Sequence, residues 1–339
     1  MAAVGHVRLA DFTGPFGYKP GMRRRSIPAG LLLATALLLG SGALVQAQDK
    51  GVVNPKPLPP LANPNDPDLA ARELFARRYL PAALPPRPIG FYAHGCLAGG
   101  EALPITGKTW QVMRLSRNRF YAYPAMVDLI QRLSAKAQRD AGWPGILVGD
   151  MSQPRGGPML TGHASHQVGL DADIWLTPMP NRQLSRNERE EMSATMMVRP
   201  DRLDIDPKVW TPTHWKVIRA AAQEPAVERI FVNAAIKKAL CREAKGDRAW
   251  LGKVRPMYGH DYHFHIRISC PHGSPGCESQ PEPPAGEGCA PADLAYWFSD
   301  AVLHPKPPKE PPKPKKPLTL ADLPTECRAV LNAPDQRPD

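Results

Sequence analysis

Proline sets the outer limits on what this chain can fold into. Of 339 residues, 41 are proline, more than twice the ~5% of ordinary usage. A prolyl residue has no backbone N–H and a fixed φ, so it ends helices and stays out of central strands. The prolines gather at 52–88, 271–291 and 305–317, so regular structure must come from the chain between them. This predicts a loosely packed proline-rich arm at 48–88, a compact domain at 89–304 and a Pro/Lys-rich tail at 305–339. Hydrophobic residues make up 42% of the chain. That is enough to bury a core and excludes disorder along the whole length.

Residues 1–47 read as an N-terminal extension followed by an export signal. Arg23, Arg24 and Arg25 precede a short apolar run at 29–39, and Val45-Gln46-Ala47 offers a small-residue cleavage site. The pattern is that of a secretory signal peptide cleaved after Ala47. The run is too short for a comfortable membrane span, though an uncleaved anchor is the competing reading. No other stretch could cross a bilayer, so no transmembrane span is expected in the mature chain. Export makes the cysteines legible: Cys96, Cys241, Cys270, Cys277, Cys289 and Cys327 all follow the cleavage site. Six cysteines in an oxidising compartment imply disulfides, with about fifteen possible pairings. A cysteine zinc site is disfavoured because no Cys-x-x-Cys pair exists. The net charge of +11 suits an anionic partner, but neither an RNA-binding sheet motif nor zinc-finger spacing is present, so no nucleic-acid partner is expected.

Apolar spacing at Met126, Leu129, Ile130, Leu133 and Ala137 predicts a helix from Pro124 that ends at Gly142-Trp143-Pro144. Further helices are predicted at 212–223 and 234–242, with a short helical patch at 69–79. Strands are predicted at 145–150, 170–176, 229–233 and 262–269. Helices and short strands in this order indicate α+β.

Two groups hold five of the ten histidines: Gly162-His163-Ala164-Ser165-His166-Gln167-Val168-Gly169-Leu170-Asp171-Ala172-Asp173 and His260-Asp261-Tyr262-His263-Phe264-His265. Side chains alternate along a strand. His263, His265 and Arg267 therefore share one face, and Tyr262, Phe264, Ile266 and Ile268 the other. The apolar face packs on the core and the imidazoles point into a cleft. Two imidazoles on one face can both approach one metal ion, or one can bind it while the other handles protons. Asp171, Asp173 and Trp175 likewise share a face. His166 precedes Asp173 by seven positions, with Gly169 as a bend. A loop histidine, a strand aspartate and a strand histidine would leave a fourth position open for water, as in catalytic zinc. Imidazole and carboxylate without thiolate suit zinc. The competing readings are chance clustering and a structural zinc. Serine hydrolase chemistry is disfavoured, because neither Gly-x-Ser-x-Gly nor Ser-x-x-Lys accompanies Ser165.

The segment 162–174 resembles the first metal motif of the penicillin-insensitive murein endopeptidases, and 253–267 resembles the second. Segments at 91–114, 131–134, 149–151, 229–237 and 250–255 follow in family order, so the resemblance covers roughly residues 85–300 and the terminal cysteine. These are periplasmic zinc peptidases related to the lysostaphin-type and D-Ala-D-Ala metallopeptidases. The resemblance implies a small, mostly antiparallel sheet with flanking helices in a Hedgehog/DD-peptidase-like fold, with long proline-rich loops. It makes His166, Asp173 and His265 zinc ligands, His263 the catalytic base, His260 the second active-site histidine and His163 a further metal-associated histidine. A second ion would use an Asp and a His three residues apart. Asp201 matches the first, but Asp204 stands where the histidine would be. The implied bridges are Cys96–Cys327, Cys241–Cys289 and Cys270–Cys277.

The implied activity is hydrolysis of the D-alanyl–meso-diaminopimelyl cross-bridge of peptidoglycan by zinc-activated water. His263 would move the proton and a cationic His260 would stabilise the oxyanion. Such an enzyme offers penicillin no serine to acylate. The alternatives are a zinc DD- or LD-carboxypeptidase trimming free stem peptides, and a non-catalytic wall-binding protein. The oligomeric state is left open.

Overall fold

The computed structural model describes residues 50–308, 310 and 316–337. The export signal expected at 1–47 lies outside the described residues, as does part of the Pro/Lys spacer. In chain order the strands are β1 (Arg87–Phe91), β2 (His94–Ala98), β3 (Glu101–Ala102), β4 (Trp110–Val112), β5 (Tyr121–Ala122), β6 (Ile146–Val148), β7 (Asp171–Trp175), β8 (Val227–Val232), β9 (Val254–Pro256) and β10 (His263–Ile268). The helices are α1 (Ala71–Phe75), α2 (Pro124–Ala141), α3 (Arg186–Glu191), α4 (Pro212–Ala222), α5 (Ala234–Glu243), α6 (Pro291–Ala295), α7 (Asp300–Leu303) and α8 (Glu326–Asn332). The α+β class stands.

Local chemistry explains the helix ends. Pro124 and Pro212 occupy the first helical position of α2 and α4, where a missing N–H costs nothing. Gly142 ends α2 in the left-handed conformation at φ 72°. Its N–H and that of Trp143 cap the carbonyls of Gln138 and Ala137. Asn233 starts α5 by accepting from the Ala235 N–H.

Six strands form one sheet in the order β4-β6-β7-β10-β8-β9. The three central pairings are antiparallel. Both edge pairings, β4 with β6 and β8 with β9, are parallel, which corrects the mostly antiparallel expectation at the edges. The cause is connectivity: α2 lies between β4 and β6, and α5 between β8 and β9. A helical crossover returns the chain in the same direction. The core lies on one face, where Phe264, Ile266, Ala172, Ile174 and Ile230 are fully buried among residues of α2, α4 and α5. Each large apolar side chain buried there contributes about 1.5–3 kcal/mol. Tyr262 departs from its expected side. It precedes β10 and packs with Trp175, Leu147 and Met113 in a separate cluster.

The arm and the tail are not loose. Ala71, Phe75 and Ala82 pack with Ile89, Cys96, Leu323, Cys327, Val330 and Leu331 in a second buried cluster. Arg155 is fully buried beneath it. Its guanidinium donates to the carbonyls of Val330, Leu331 and Ala333 at 2.7, 2.9 and 2.8 Å. These are the last-turn carbonyls that a helix cannot satisfy internally. The bridges are Cys96–Cys327, Cys241–Cys289 and Cys270–Cys277, the same pairing that the resemblance implied.

Because Cys96–Cys327 joins elements of the second cluster, the double variant Cys96→Ser/Cys327→Ser should lose about 2–5 kcal/mol of stability. Denaturant unfolding checks this, and an unchanged midpoint rejects it. A second prediction concerns Lys237, which is fully buried. Its Nζ donates to the carbonyls of Leu251 at 2.7 Å and Glu287 at 2.6 Å, two acceptors for the two N–H bonds of a neutral amine. Burial, reinforced by Arg255, pushes its pKa down to about 7, whereas an unfolded lysine keeps ~10.4. The unfolded chain thus holds this proton more tightly. The associated stability is full above the unfolded value and is lost as pH falls towards about 7. Between these limits, wild type should gain stability with rising pH, by at most about 1.4 kcal/mol per unit, relative to Lys237→Met. Parallel stability–pH curves would reject the assignment.

Candidate metal centre

The β7–β10 pairing builds this site. Its register sets His265 opposite Asp173, His263 opposite Trp175 and Arg267 opposite Asp171. The face opposite the core therefore presents His263, His265, Asp171 and Asp173 side by side. The loop before β7 turns back over them. His166 sits there in the left-handed region at φ 66°, uncommon for a non-glycine residue. Gly169, at φ 74°, completes the bend; a Cβ there would lie 2.7 Å from Leu97 and 2.8 Å from the Tyr123 nitrogen. His260 enters from the loop before β10, also left-handed at φ 58°.

Asp173 is the hub. Its carboxylate lies 3.3 Å from His265 Nδ1, 3.4 Å from His163 Nε2, 3.6 Å from His166 Nε2 and 3.7 Å from His263 Nε2. The His260 ring lies 4.7 Å from that of His263 and 6.0 Å from that of His265. All five histidines singled out in the sequence thus converge around one carboxylate. Donor atoms of His163, His166 and Asp173 all lie within 4.8 Å of one another, the one such group of three among the described residues. The tightest trio therefore contains His163, where the resemblance implied His265. His265 faces the same carboxylate from the opposite strand.

The surrounding groups orient these donors. Asp171 Oδ1 accepts from His265 Nε2 at 2.8 Å, which leaves Nδ1 turned toward Asp173. Arg267 donates to both Asp171 oxygens at 2.8 and 3.2 Å, and the His166 backbone N–H donates at 3.0 Å. Asp150 bonds His163 Nε2 at 3.1 Å and is held by Arg117 and Arg119 at 2.8 and 2.9 Å. Burial alone would raise the pKa of both carboxyls. For Asp171 the charges of Arg267 and His265 outweigh it, and for Asp150 the hydrogen bond to His163 and the charge of Arg119 do so. Both are held well below the usual carboxylate range. Asp150 and Asp171 hold two of these rings by hydrogen bonds, a part the sequence reading did not assign to them. Strand alternation already put Asp171 beside Asp173, but its pairing with His265 required the β7–β10 register.

Asp173 differs from its neighbours. Among the described residues it has no arginine or lysine within ion-pair distance, only imidazoles. Burial opposes its ionisation, yet His263, His166 and His163 hold it well below the ordinary range. Asp173 Oδ1 and both ring nitrogens of His166 and His263 are buried without hydrogen-bond partners. A cluster of unsatisfied buried atoms around an anion costs several kcal/mol. A cation at this point would satisfy it, so the donor set fits a metal ion.

Asp201 and Asp204 do not join the cluster. Asp201 is paired with Arg199 at 2.8 Å and Asp204 with Arg242 at 3.0 Å and Lys238 at 3.4 Å. The second ion that the resemblance left open at these two residues, with Asp204 in place of the histidine, gains no support: cationic side chains already neutralise both carboxylates. His214 shows what an ordinary buried histidine looks like. Its Nδ1 accepts from the Thr211 N–H and its Nε2 faces the Leu176 carbonyl.

A family profile described as penicillin-insensitive murein endopeptidase matches residues 88–332. This chain belongs to the penicillin-insensitive murein endopeptidase family. A murein endopeptidase of this name from Haemophilus influenzae is 44% identical over 254 residues, covering 74% of this chain and 84% of that protein. One from Pectobacterium atrosepticum is 42% identical, with 74% and 86% covered. One from Yersinia enterocolitica is 41% identical, with 74% and 88% covered. The match to the penicillin-insensitive murein endopeptidase profile spans β1 to α8 and so takes in both histidine groups and all six cysteines.

Elemental analysis tests the donor set. The purified chain should carry at least one metal ion, and His166→Ala or Asp173→Ala should lose it. Asp171→Asn, which loosens His265, should weaken affinity by about 10–100-fold. Wild-type metal content in either alanine variant would reject this site.

Proposed function

We propose that this chain is an exported zinc endopeptidase that hydrolyses the D-alanyl–meso-diaminopimelyl cross-bridge of peptidoglycan, forming no covalent intermediate. The observation that carries this reading is the buried Asp173 carboxylate, faced by four imidazoles and, among the described residues, by no arginine or lysine within ion-pair distance. The relatives, named for endopeptidase action on murein, support the substrate class. The donor chemistry, imidazole and carboxylate with all cysteines in disulfides, supports zinc. Three disulfides support delivery to an oxidising compartment, the periplasm. Among the described residues no helix is long and apolar enough to cross a membrane. The Hedgehog/DD-peptidase-like fold belongs to this proposal too, supported by a central antiparallel sheet with the site on its open face.

In this reading His166, Asp173 and His265 hold the ion, with His163 beside them. Zinc held there would supply a water of lowered pKa, toward ~7. His263 handles the protons. Burial pushes the pKa of its imidazole down, which keeps it neutral at pH 7, the form from which a proton acceptor must start. His260 closes the opposite wall. Its Nδ1–H donates to the Tyr258 carbonyl at 2.8 Å, so neutral His260 offers only an acceptor at Nε2. Burial lowers its pKa, and Asp173 only partly opposes this. The oxyanion role expected of a cationic His260 therefore requires it to take up a proton first.

Incubation of the protein with purified sacculi, with and without a chelator, tests the proposal. Cross-linked muropeptide dimers should fall to monomers by mass spectrometry, chelator should stop this and zinc should restore it. His263→Ala should keep its metal while the rate falls by roughly 10²–10⁴, whereas His265→Ala should lose both. Trimming of free stems with dimers intact would replace this reading with a carboxypeptidase.

A further inference from the structure

Beside the metal centre lies a cavity of about 630 Å³ that the chemistry above does not use. Its walls carry Lys50, Lys56, Arg78, Arg117, Arg119 and Arg186, and no aspartate or glutamate. The volume suits a peptide fragment rather than a single ion. One wall is the arm at 50–58, fixed in place by backbone bonds. Gly51 N–H donates to the Glu190 carbonyl at 2.9 Å, and Val52 N–H to Ser116 Oγ at 2.9 Å. Tyr79, about half exposed, and Leu58 add apolar surface.

The charges there are unequal in their partners. Arg117 and Arg119 are spent on Asp150. Lys50 donates to neutral groups, the Glu191 carbonyl and Ser193 Oγ. Lys56, Arg78 and Arg186 have no carboxylate within ion-pair distance among the described residues. Like charges gathered in a concave wall raise the local potential and attract anions, and guanidinium groups bind carboxylates in bidentate fashion. The cavity also adjoins the chemistry. Thr161 lines it, its carbonyl accepts from Arg119 at 2.8 Å, and His163 follows two residues later.

We propose that this cavity is a binding site for the free carboxylates of an acidic peptide, seating one stem of the substrate while the scissile bond lies at Asp173 and its histidines. The identity of that peptide rests on the murein endopeptidase reading; the carboxylate preference rests on the cavity alone. Arg117 and Arg119 join the two sites, because both also hold the Asp150 that positions His163.

The test is calorimetric titration of the metal-bound full chain with a stem tetrapeptide carrying free carboxylates, and with the same peptide carrying amidated side-chain carboxyls. Wild type should prefer the free acid by about tenfold, the value of one charge-assisted contact. The preference should shrink as salt rises from ~0.1 to ~1 M. It should vanish in the exposed-site variant Lys56→Ala/Arg186→Ala, and independently in Arg78→Gln, with melting temperatures and metal content unchanged. No preference in wild type overturns the proposal. A preference that survives in both variants belongs to the metal centre and overturns it equally. If the preference behaves as expected but sacculi are left uncut, the endopeptidase reading fails and the cavity assignment stands.

Discussion

Everything at the site depends on the antiparallel pairing of β7 with β10. The ladder fixes which residues face each other, and the two-residue period fixes which side they face. One residue of slip would carry Phe264 and Ile266 out of the core and bury His263 and His265 in it. The apolar face therefore enforces the register that brings the histidines and aspartates together. Fully buried Phe264, Ile266, Ala172 and Ile174 hold the ladder, and the ladder holds the imidazoles. The site is built on strands, and only His163, His166 and His260 come from loops.

Charge pairing then divides three buried carboxylates into two kinds. Asp150 and Asp171 each have arginine partners and serve as fixed acceptors for histidine N–H groups. Their arginines stabilise the ionised form, so each can hold a ring in one orientation. Asp173 has imidazoles alone. Removing a partner from a buried charge ordinarily costs several kcal/mol, and of these three carboxylates Asp173 is the one that carries the arrangement. The asymmetry separates the arginine-paired carboxylates from the candidate metal group without reference to relatives. It also explains why the exposed Asp201 and the half-buried Asp204, paired with arginine and lysine, belong with the first kind.

Strand alternation and the two histidine groups were legible in the sequence because both are local, with a period of two and spacings of a few residues. The helices starting at Pro124 and Pro212 were legible for the same reason. Asp150 was not, because it acts through His163 across a β6–β7 pairing that no local pattern specifies. Tyr262 was misplaced because alternation was extended one residue beyond the strand that supports it. The arm was read as loose from its proline content. Phe75 nevertheless reaches a core completed by Val330 and Leu331, about 255 residues away along the sequence, and only tertiary contact reveals that.

Proline and cysteine act here as complements. Prolyl residues have no N–H to give a ladder, and the described part of 271–291 contributes no strand to the sheet, only an isolated bridge between Cys277 and Gly90. Each disulfide has an end in or beyond the proline-rich segments at 271–291 and 305–317: Cys277 and Cys289 lie within the first, and Cys327 follows the second. The other ends lie on regular structure or just past it, with Cys96 in β2, Cys241 in α5 and Cys270 two residues after β10. A covalent link restricts the unfolded chain without requiring any backbone donor. The bridges therefore fasten irregular chain to elements of regular structure or to their ends. Among the described residues none of the six cysteines bonds a site histidine or aspartate. The crosslinks hold the frame, and the face carrying Asp173 is left to the chemistry of its histidines.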